Sequence, residues 1–514
     1  MVFSIDEIVE KSRRETSGAD GVSFEEALNE SRFGKFHYCL IFVSGIFMAC
    51  VFYEIMGISY VLPVAECDLY ITSKQQYGIV SGVWFAGYIL ASNLWGFVSD
   101  TYGRRNVLII ATLTAALGSA LSSLAVNLWQ LALFRFINGF CLSGTSTIFA
   151  YLGEFLDAKT RSRSTMISSV IFGGLSLFLP IMAMLVINQK WSFVIPMIQV
   201  TYKPWRLFIF VCGFPSLISG LSLLLFPESP KFTFSQGDET KTIDIFRRVY
   251  YVNTGNRDFK IKKIQPNDEF GQNRERKHAL KMMLNQSVTL FRVYPWSIFL
   301  VSTIQFGMYF VCNGMLLFFP DIVNQAALYM QTSSSDQALC KIIEHAIDAK
   351  NNNSAVSADN VRECVQELDV TAYYYALILE GCYTGGFFLL SLLVNYVGRL
   401  SIFTFVSFST GICGFLIVWV SNTTIAIYLY VWLLACGVTI VLLNTVTYDL
   451  FPTNLRALAL SVSVMFGRLG ALMGGNVAGL LLEKHCSALY MFSGGILIFT
   501  GVLIFLIPNI RQKK

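Results

Sequence analysis

The chain has 514 residues, of which 54% are hydrophobic and only 14% are charged, and its mean hydropathy is +0.56. A soluble protein of this length cannot bury so many apolar side chains, so the excess must face lipid. This composition excludes a soluble enzyme and a small secreted disulfide-rich domain. The net charge of +5 is spread over loops rather than gathered on one stripe, which also excludes a nucleic-acid binder.

Apolar runs of about 20 residues, each long enough to cross a hydrocarbon core, recur along the whole chain. They predict an all-α membrane protein with twelve transmembrane helices. In chain order the predicted spans are 38–63, 75–98, 106–125, 129–152, 165–188, 205–226, 296–319, 371–396, 400–420, 423–447, 455–482 and 487–508.

The distribution of Lys and Arg predicts the orientation of these spans. If the polar segment 1–35 is cytoplasmic, the segments on its side of the membrane hold roughly four times as many Lys and Arg residues as the opposite loops, as the positive-inside rule requires. Both termini are therefore expected in the cytoplasm.

Two long connections divide the chain into domains. Segment 227–295 carries many charges of both signs and is predicted to be a cytoplasmic linker between six-helix bundles at 36–226 and 296–508. Segment 321–369 is predicted to be an exofacial loop or small cap, and 509–514 a cytoplasmic tail.

The exofacial segment contains residues typical of an oxidising compartment. Cys340 and Cys364 are expected to form a disulfide bond, although sequence alone does not fix cysteine pairing. Asn352 and Asn422 lie in glycosylation sequons on the same side. Asn422 is close to the expected membrane surface, which disfavours its modification.

A repeated turn indicates that the two bundles are duplicates. Gly96-Phe-Val-Ser-Asp-Thr-Tyr-Gly-Arg-Arg105 follows the second span, and Asn395-Tyr-Val-Gly-Arg399 follows the eighth. Aligning them places an acid or amide, a glycine and an arginine at the same spacing in each half. The glycine allows the positive φ that an abrupt turn between helices needs.

These motifs resemble those of the major facilitator superfamily of solute transporters. Within it, Pro227-Glu-Ser-Pro-Lys231 and Tyr448-Asp-Leu-Phe-Pro-Thr-Asn-Leu-Arg456 resemble motifs of sugar-porter-like and organic-ion-transporter-like members, and the synaptic vesicle glycoprotein 2 group is the nearest in appearance. The resemblance implies two pseudosymmetric six-helix bundles that alternate around a central site.

The same resemblance implies a function. A secondary transporter would carry a small organic solute, charged or neutral, with or without coupling to protons. It would act as a monomer in the lipid bilayer of the plasma membrane or of an intracellular membrane such as the synaptic vesicle. The alternative is a non-transporting membrane regulator that retains the carrier fold. No cofactor, metal site or ATP-binding loop is expected, so an ion or solute gradient would supply the energy.

Charges at the predicted cytoplasmic rim form a candidate gating network. Acids at helix C-termini need cationic partners because the helix dipole disfavours them. The hypothesis is that this network clasps the two halves together when the cavity opens outward; a solvated rim is the alternative. The residues are Gly96, Asp100, Gly103, Arg104, Arg105, Glu154, Arg161, Arg163, Glu228, Gly398, Arg399, Asp449 and Arg456.

Four charges inside the spans are candidates for solute or ion binding, because lipid exposure would cost each several kcal/mol, roughly 2.5 to 3.5 for Arg. Glu54 is a protonatable switch, a ligand for a cationic solute, or the structural partner of an Arg or backbone group. Arg135 and Arg468 hold an anion or lock helices together, and Glu380 is expected to reach water from outside. Trp84, Tyr88, Phe306 and Tyr309 are candidates for stacking on an organic solute, although most such aromatics only pack.

Overall fold

The computed structural model describes residues 21–196, 200–265, 288–332, 337–356, 368–452 and 455–507. Almost all of the regular structure in these ranges is helical. The exception is an antiparallel hairpin, β1 (Phe193–Ile195) with β2 (Val200–Tyr202), and one isolated bridge.

The N-terminal half contains ten helices. Three of its six predicted spans are each made of two consecutive helices, because a 3₁₀ turn at Ser143–Thr147 and short bends at Leu177 and Gly213 interrupt them. The helices are α1 (Phe24–Glu30), α2 (Lys35–Ala65), α3 (Lys74–Tyr102), α4 (Arg104–Ser123), α5 (Leu128–Leu142), α6 (Ile148–Glu154), α7 (Ala158–Ser176), α8 (Phe178–Ile187), α9 (Pro204–Cys212) and α10 (Phe214–Leu223).

The linker and the C-terminal half contain ten further helices in the described residues. The elements are α11 (Pro230–Ser235), α12 (Glu239–Thr254), α13 (Pro295–Thr332), α14 (Leu339–Val356), α15 (Val370–Val397), α16 (Arg399–Trp419), α17 (Thr423–Leu434), α18 (Gly437–Leu450), α19 (Arg456–Lys484) and α20 (Cys486–Leu503). Among the described residues, nine helices are long and apolar enough to span a membrane, and the bent α3 would make ten.

Helix α13 is longer than predicted. The predicted span ends at residue 319, just before Pro320 and Asp321, but the helix continues to Thr332. A proline is tolerated within a membrane helix when neighbouring elements satisfy the backbone. Beyond the proline, the Asp321 carboxylate forms an ion pair with Lys74, and the side chain of Ile322 is buried. The predicted exofacial segment therefore begins as a continuation of α13 and contains the further helix α14.

The predicted Cys340 to Cys364 disulfide is wrong. Cys340 near the start of α14 is bonded to Cys486, the first residue of α20, with a Cα to Cα distance of 5.4 Å. The prediction paired the cysteines nearest in sequence, whereas α14 packs against α20 and brings its first turn to Cys486. Cys67 is also disulfide-bonded, and Cys364 lies outside the described residues.

Residues 21–34 and residues 230–265 of the linker form one small unit on the predicted cytoplasmic side. Helix α1 packs against α12 in an apolar cluster around Phe24 and Phe246, and Val22 forms a parallel bridge with Ile264. The amide oxygen of Asn253 accepts a hydrogen bond from the backbone N–H of Phe36 at 3.0 Å. The unit therefore anchors the start of α2.

Candidate functional site

The two repeated turns have the same geometry, which confirms the glycine prediction. Gly103 ends α3 and Gly398 ends α15, with φ of +96° and +85°. In each case the next residue, Arg104 or Arg399, begins the following helix. Each arginine forms an ion pair with an acid fifty residues further on, Glu154 or Asp449 in the respective half.

On the predicted cytoplasmic side of the N-terminal half, the rim charges bind one another and the linker. Arg104 contacts Asp100 at 3.5 Å as well as Glu154. Glu228 accepts hydrogen bonds from the backbone N–H groups of Arg105 and Ser229, both at 2.9 Å. These contacts hold the start of the linker against the bundle that precedes it.

The other predicted rim arginines are exposed or donate hydrogen bonds to backbone carbonyls nearby in sequence. Arg161 and Arg163 are exposed, and Arg161 donates to the carbonyl of Leu156 at 3.3 Å. Arg456 donates to the carbonyl of Phe451 at 2.9 Å. A Cβ at Gly96 would meet no atom within 4 Å.

Contacts that join the two halves gather at the opposite, predicted exofacial end. The Nζ of Lys74 on α3 lies 2.8 Å from a carboxylate oxygen of Asp321 on α13, and the two side chains are only 10% and 6% exposed. Beside this pair the rings of Tyr77 and Phe318 stack. The backbone N–H of Lys74 donates to Glu483 on α19 at 2.5 Å.

A second set of contacts closes the same end between α8 and α15. Tyr373 donates from its hydroxyl to the side-chain oxygen of Asn188 at 2.9 Å, and its ring stacks on Tyr60. Asn188 also donates to the carbonyl of Leu368 at 2.9 Å. We name these contacts the outer gate; it comprises Tyr60, Lys74, Tyr77, Asn188, Phe318, Asp321, Tyr373 and Glu483.

Asp369 caps α15 next to the outer gate. Its carboxylate accepts hydrogen bonds from the backbone of Thr371 at 2.8 Å and from the side chain of Gln331 at 2.7 Å. Burial raises the pKa of Asp369, but the hydrogen bonds from Thr371 and Gln331 outweigh burial and hold it below its ordinary value.

Glu54 and Arg135 form a buried ion pair inside the N-terminal half. An Arg135 nitrogen lies 3.0 Å from the Glu54 carboxylate, and the side chains are 4% and 2% exposed. Ser119 also donates to Glu54, and Asn138 links Ser119 to the indole N–H of Trp84 at 3.0 and 2.9 Å. This geometry favours the structural role of Glu54 and engages Arg135 and Trp84 in the same buried network.

Glu380 lies on α15 where the C-terminal half meets α7. Its side chain is 5% exposed and within hydrogen-bonding reach of Ser176. One turn later, the hydroxyl of Thr384 donates to the carbonyl of Gly173 at 2.9 Å. In the described part of the chain no Lys or Arg forms an ion pair with Glu380, and the expectation that it reaches water from outside does not hold in this conformation.

Arg468 meets aromatic residues at mid-depth between the halves. Its guanidinium carbon lies 3.8 Å from the ring centroid of Tyr88 on α3, and Tyr309 on α13 packs in the same apolar cluster as Tyr88. A Cβ at Gly470, two residues further along α19, would collide with the backbone of Phe306. We name Tyr88, Phe306, Tyr309 and Arg468 the midplane cluster.

Comparison with known proteins identifies the family. The sequence model of the Major Facilitator Superfamily matches residues 41–335. The chain belongs to the Major Facilitator Superfamily. Among its relatives, human synaptic vesicle glycoprotein 2B is 24% identical over 323 residues, 58% of this chain and 47% of that protein. Human synaptic vesicle glycoprotein 2A is 27% identical over 48% of this chain and 33% of that protein, so the chain spans about half or less of these relatives.

Solved structures agree with this membership at the level of fold. A partially occluded inward-open conformation of the xylose transporter XylE from E. coli gives a TM-score of 0.65 at 13% identity, covering 92% of this chain and all of that one. A D-xylose-proton symporter gives 0.61 at 15% identity, covering 93% and 99%. The fold of two six-helix bundles predicted for this superfamily member is confirmed.

Sequence reasoning missed the outer gate. Asp321 was placed at the start of the exofacial segment and Lys74 was given no role, although each adjoins a predicted span of a different half. Opposite charges at matching ends of spans in the two halves were the available signal. The predicted glycosylation sites stay predictions. The Asn422 side chain caps α17 by accepting from Ile425 at 3.0 Å, and the Asn352 side chain lies outside the described part.

Proposed function

We propose that this chain is a secondary transporter that moves a small organic solute across a membrane by alternating access, acting as a monomer with both termini in the cytoplasm. One observation carries the proposal. Buried contacts between the halves form the outer gate, whereas the paired rim charges Arg104 with Glu154 and Arg399 with Asp449 each stay inside one half. This distribution is expected for a carrier closed toward the outside.

The predicted cytoplasmic clasp fits the same cycle. In the outward-closed state described here, the Asp100 side chain is 72% exposed, and its ion-pair partner among the described residues is Arg104 of its own half. Its carboxylate is therefore accessible to a partner from the other half when the cytoplasmic ends approach each other. The rim would join the halves only in the outward-open state, as the gating hypothesis requires.

Glu380 is the residue we assign to proton coupling. An ionised carboxylate buried without a cation is strongly disfavoured, so the closed seam between α7 and α15 favours the protonated acid. Opening that seam would hydrate Glu380 and allow it to release the proton. Its protonation state would thus be linked to which side of the carrier is open.

Uptake into proteoliposomes tests the proposal. Purified protein would be supplied with radiolabelled pools of organic anions, organic cations and neutral sugars, with and without an inward pH gradient. We expect saturable uptake of one pool that the gradient accelerates. Uptake of every pool no greater than in protein-free liposomes would contradict transport and favour the non-transporting regulator.

The variant E380Q, which mimics the protonated acid, tests the coupling. It should lose the response to the pH gradient while still exchanging solute across the membrane. D244N is the matched control, because Asp244 is an exposed acid in the linker paired with Arg247. A normal gradient response in E380Q would place the coupling elsewhere.

A further inference from the structure

The charges inside the membrane spans do not balance. Glu54 and Arg135 neutralise each other at 3.0 Å, and Glu380 becomes neutral by holding a proton. Arg468 has neither option, because a guanidinium does not lose its proton in proteins. Within the described ranges, no carboxylate lies within ion-pair distance of Arg468.

Arg468 sits where a carrier holds its solute. Tyr88 is the fifteenth of the 29 residues of α3 and Arg468 the thirteenth of the 29 in α19, so both lie near the middle of helices that belong to different halves. From Lys74 of the outer gate, Tyr88 is about 21 Å along the helix. A ligand bound here would contact both halves.

The surroundings of Arg468 leave it able to bind a ligand. Its side chain is half-buried rather than enclosed, and the Tyr88 ring covers one face of the guanidinium at 3.8 Å. A stacked guanidinium keeps its N–H groups at the edge of the plane, where they can grip a carboxylate through two parallel hydrogen bonds. The half-buried ring of Tyr309 offers apolar surface for the body of such a ligand.

We infer that the solute is an organic anion whose carboxylate pairs with Arg468. This assignment deepens the transport function proposed above and rests on it. The anion supplies the negative charge that the protein lacks at this depth. The Tyr88 ring lies against the guanidinium of Arg468, and no carboxylate among the described residues pairs with it.

Benzoate is a suitable probe, because benzamide has nearly the same shape without the charge and benzylammonium carries the opposite charge. Binding to the full chain in lipid nanodiscs would be followed by the ligand-dependent rise in melting temperature. We expect a saturable rise with benzoate and none with the other two compounds.

Variants connect that binding to Arg468. R468Q should bind benzoate at least tenfold more weakly, and R468K, which keeps the charge but loses the fork, should lie between R468Q and the wild type. R247Q, at an exposed arginine of α12, should bind like the wild type. The melting temperature of ligand-free R468Q should equal or exceed that of the wild type, since the substitution removes an uncompensated charge; this also verifies folding.

The outcomes separate this inference from the proposed transport. Equal benzoate affinity in R468Q and the wild type, or no benzoate-dependent shift in the wild type, overturns the anion assignment. Saturable uptake of a neutral or cationic solute by R468Q would retain transport and also overturn it. Benzoate binding that requires Arg468, with no uptake of any solute, would retain the anion site and contradict transport.

Discussion

The ion pair between Lys74 and Asp321 should set the balance between the two states of the carrier. D321N removes one charge and leaves Lys74 in a site where its side chain is 10% exposed. Breaking a buried pair typically costs about 3 to 5 kcal/mol. Glu66, 3.9 Å from the Lys74 nitrogen, offsets part of this, so we take about 3 kcal/mol against the closed outer gate.

That free energy corresponds to a factor of about 150 in the equilibrium constant. If the outer gate of the wild type is closed about 99% of the time, D321N would leave it closed about 40% of the time. The exofacially open fraction would thus rise from about 1% to about 60%.

A cysteine at Ser81 reports this change. Ser81 is seven residues from both Lys74 and Tyr88 on α3, so it shares their face of the helix, and it is buried in the closed state. S81C would be treated with an impermeant maleimide from the exofacial side, and labelling at residue 81 quantified by peptide mass spectrometry. We expect the labelling rate in the D321N background to rise roughly sixtyfold.

Two controls test the reasoning. Adding K74Q to D321N removes the buried charge left behind, so the double variant should be labelled more slowly than D321N alone. D238N, which breaks the exposed pair with Lys241, should have no effect. Unchanged labelling in D321N, or faster labelling in the double variant, would refute the assignment of Lys74 and Asp321 to the outer gate.

Three further predictions follow from the same contacts. A Cβ at Gly78 would collide with the backbone of Gly475, so G78V should destabilise the closed outer gate by about 1 to 3 kcal/mol and speed the labelling of S81C. G96A, at a position where space is open, should leave the labelling rate unchanged. Equal labelling rates in G78V and G96A would contradict this. E154Q should lower the melting temperature more than D449N, because a less exposed ion pair contributes more to stability. The side chains of Glu154 and Arg104 are 10% and 19% exposed, whereas those of Asp449 and Arg399 are 57% and 39% exposed. A larger decrease in D449N would contradict this reasoning. The lowered pKa of Asp369 means that its cap contributes full stability above the ordinary pKa of about 4 and loses it as pH falls through the lower folded value. Wild type and D369N should therefore differ in melting temperature at pH 6 and converge in acid once the pH is below the folded-state pKa. A difference that does not change with pH would contradict the shift.

The sequence predicted the architecture well because lipid imposes a simple rule on composition. An apolar run of fixed length becomes a helix wherever it occurs, since the bilayer offers the backbone no other hydrogen-bonding partner. The repeated glycine turns were predictable for a similar reason, because Gly103 and Gly398 are required locally by a positive φ. Neither inference depends on which helices become neighbours.

Predictions that depend on which helices pack together were less accurate. Cys340 was paired with Cys364 because that is its nearest exofacial cysteine in sequence, but the packing of α14 brings it to Cys486. From sequence, Glu54 is either a ligand or a partner of an Arg, and only the folded bundle places Arg135 of α5 3.0 Å from Glu54 of α2. Intramembrane charges are identified by sequence, whereas their pairing is a property of the folded bundle.

Some ion pairs lie within one half of the carrier and one joins the two halves. This distribution indicates which parts of the carrier move together. Glu54 with Arg135, and Arg104 with Glu154, join helices of one half, so a rigid rotation of that half leaves both pairs intact. Lys74 with Asp321 joins the two halves, so the same rotation must break it. Buried pairs within a half make its helices move as one body, and the pair between halves then gives the motion two preferred end points. A solute that neutralises Arg468 at the seam would alter the balance between those end points, which is the requirement for coupling binding to transport.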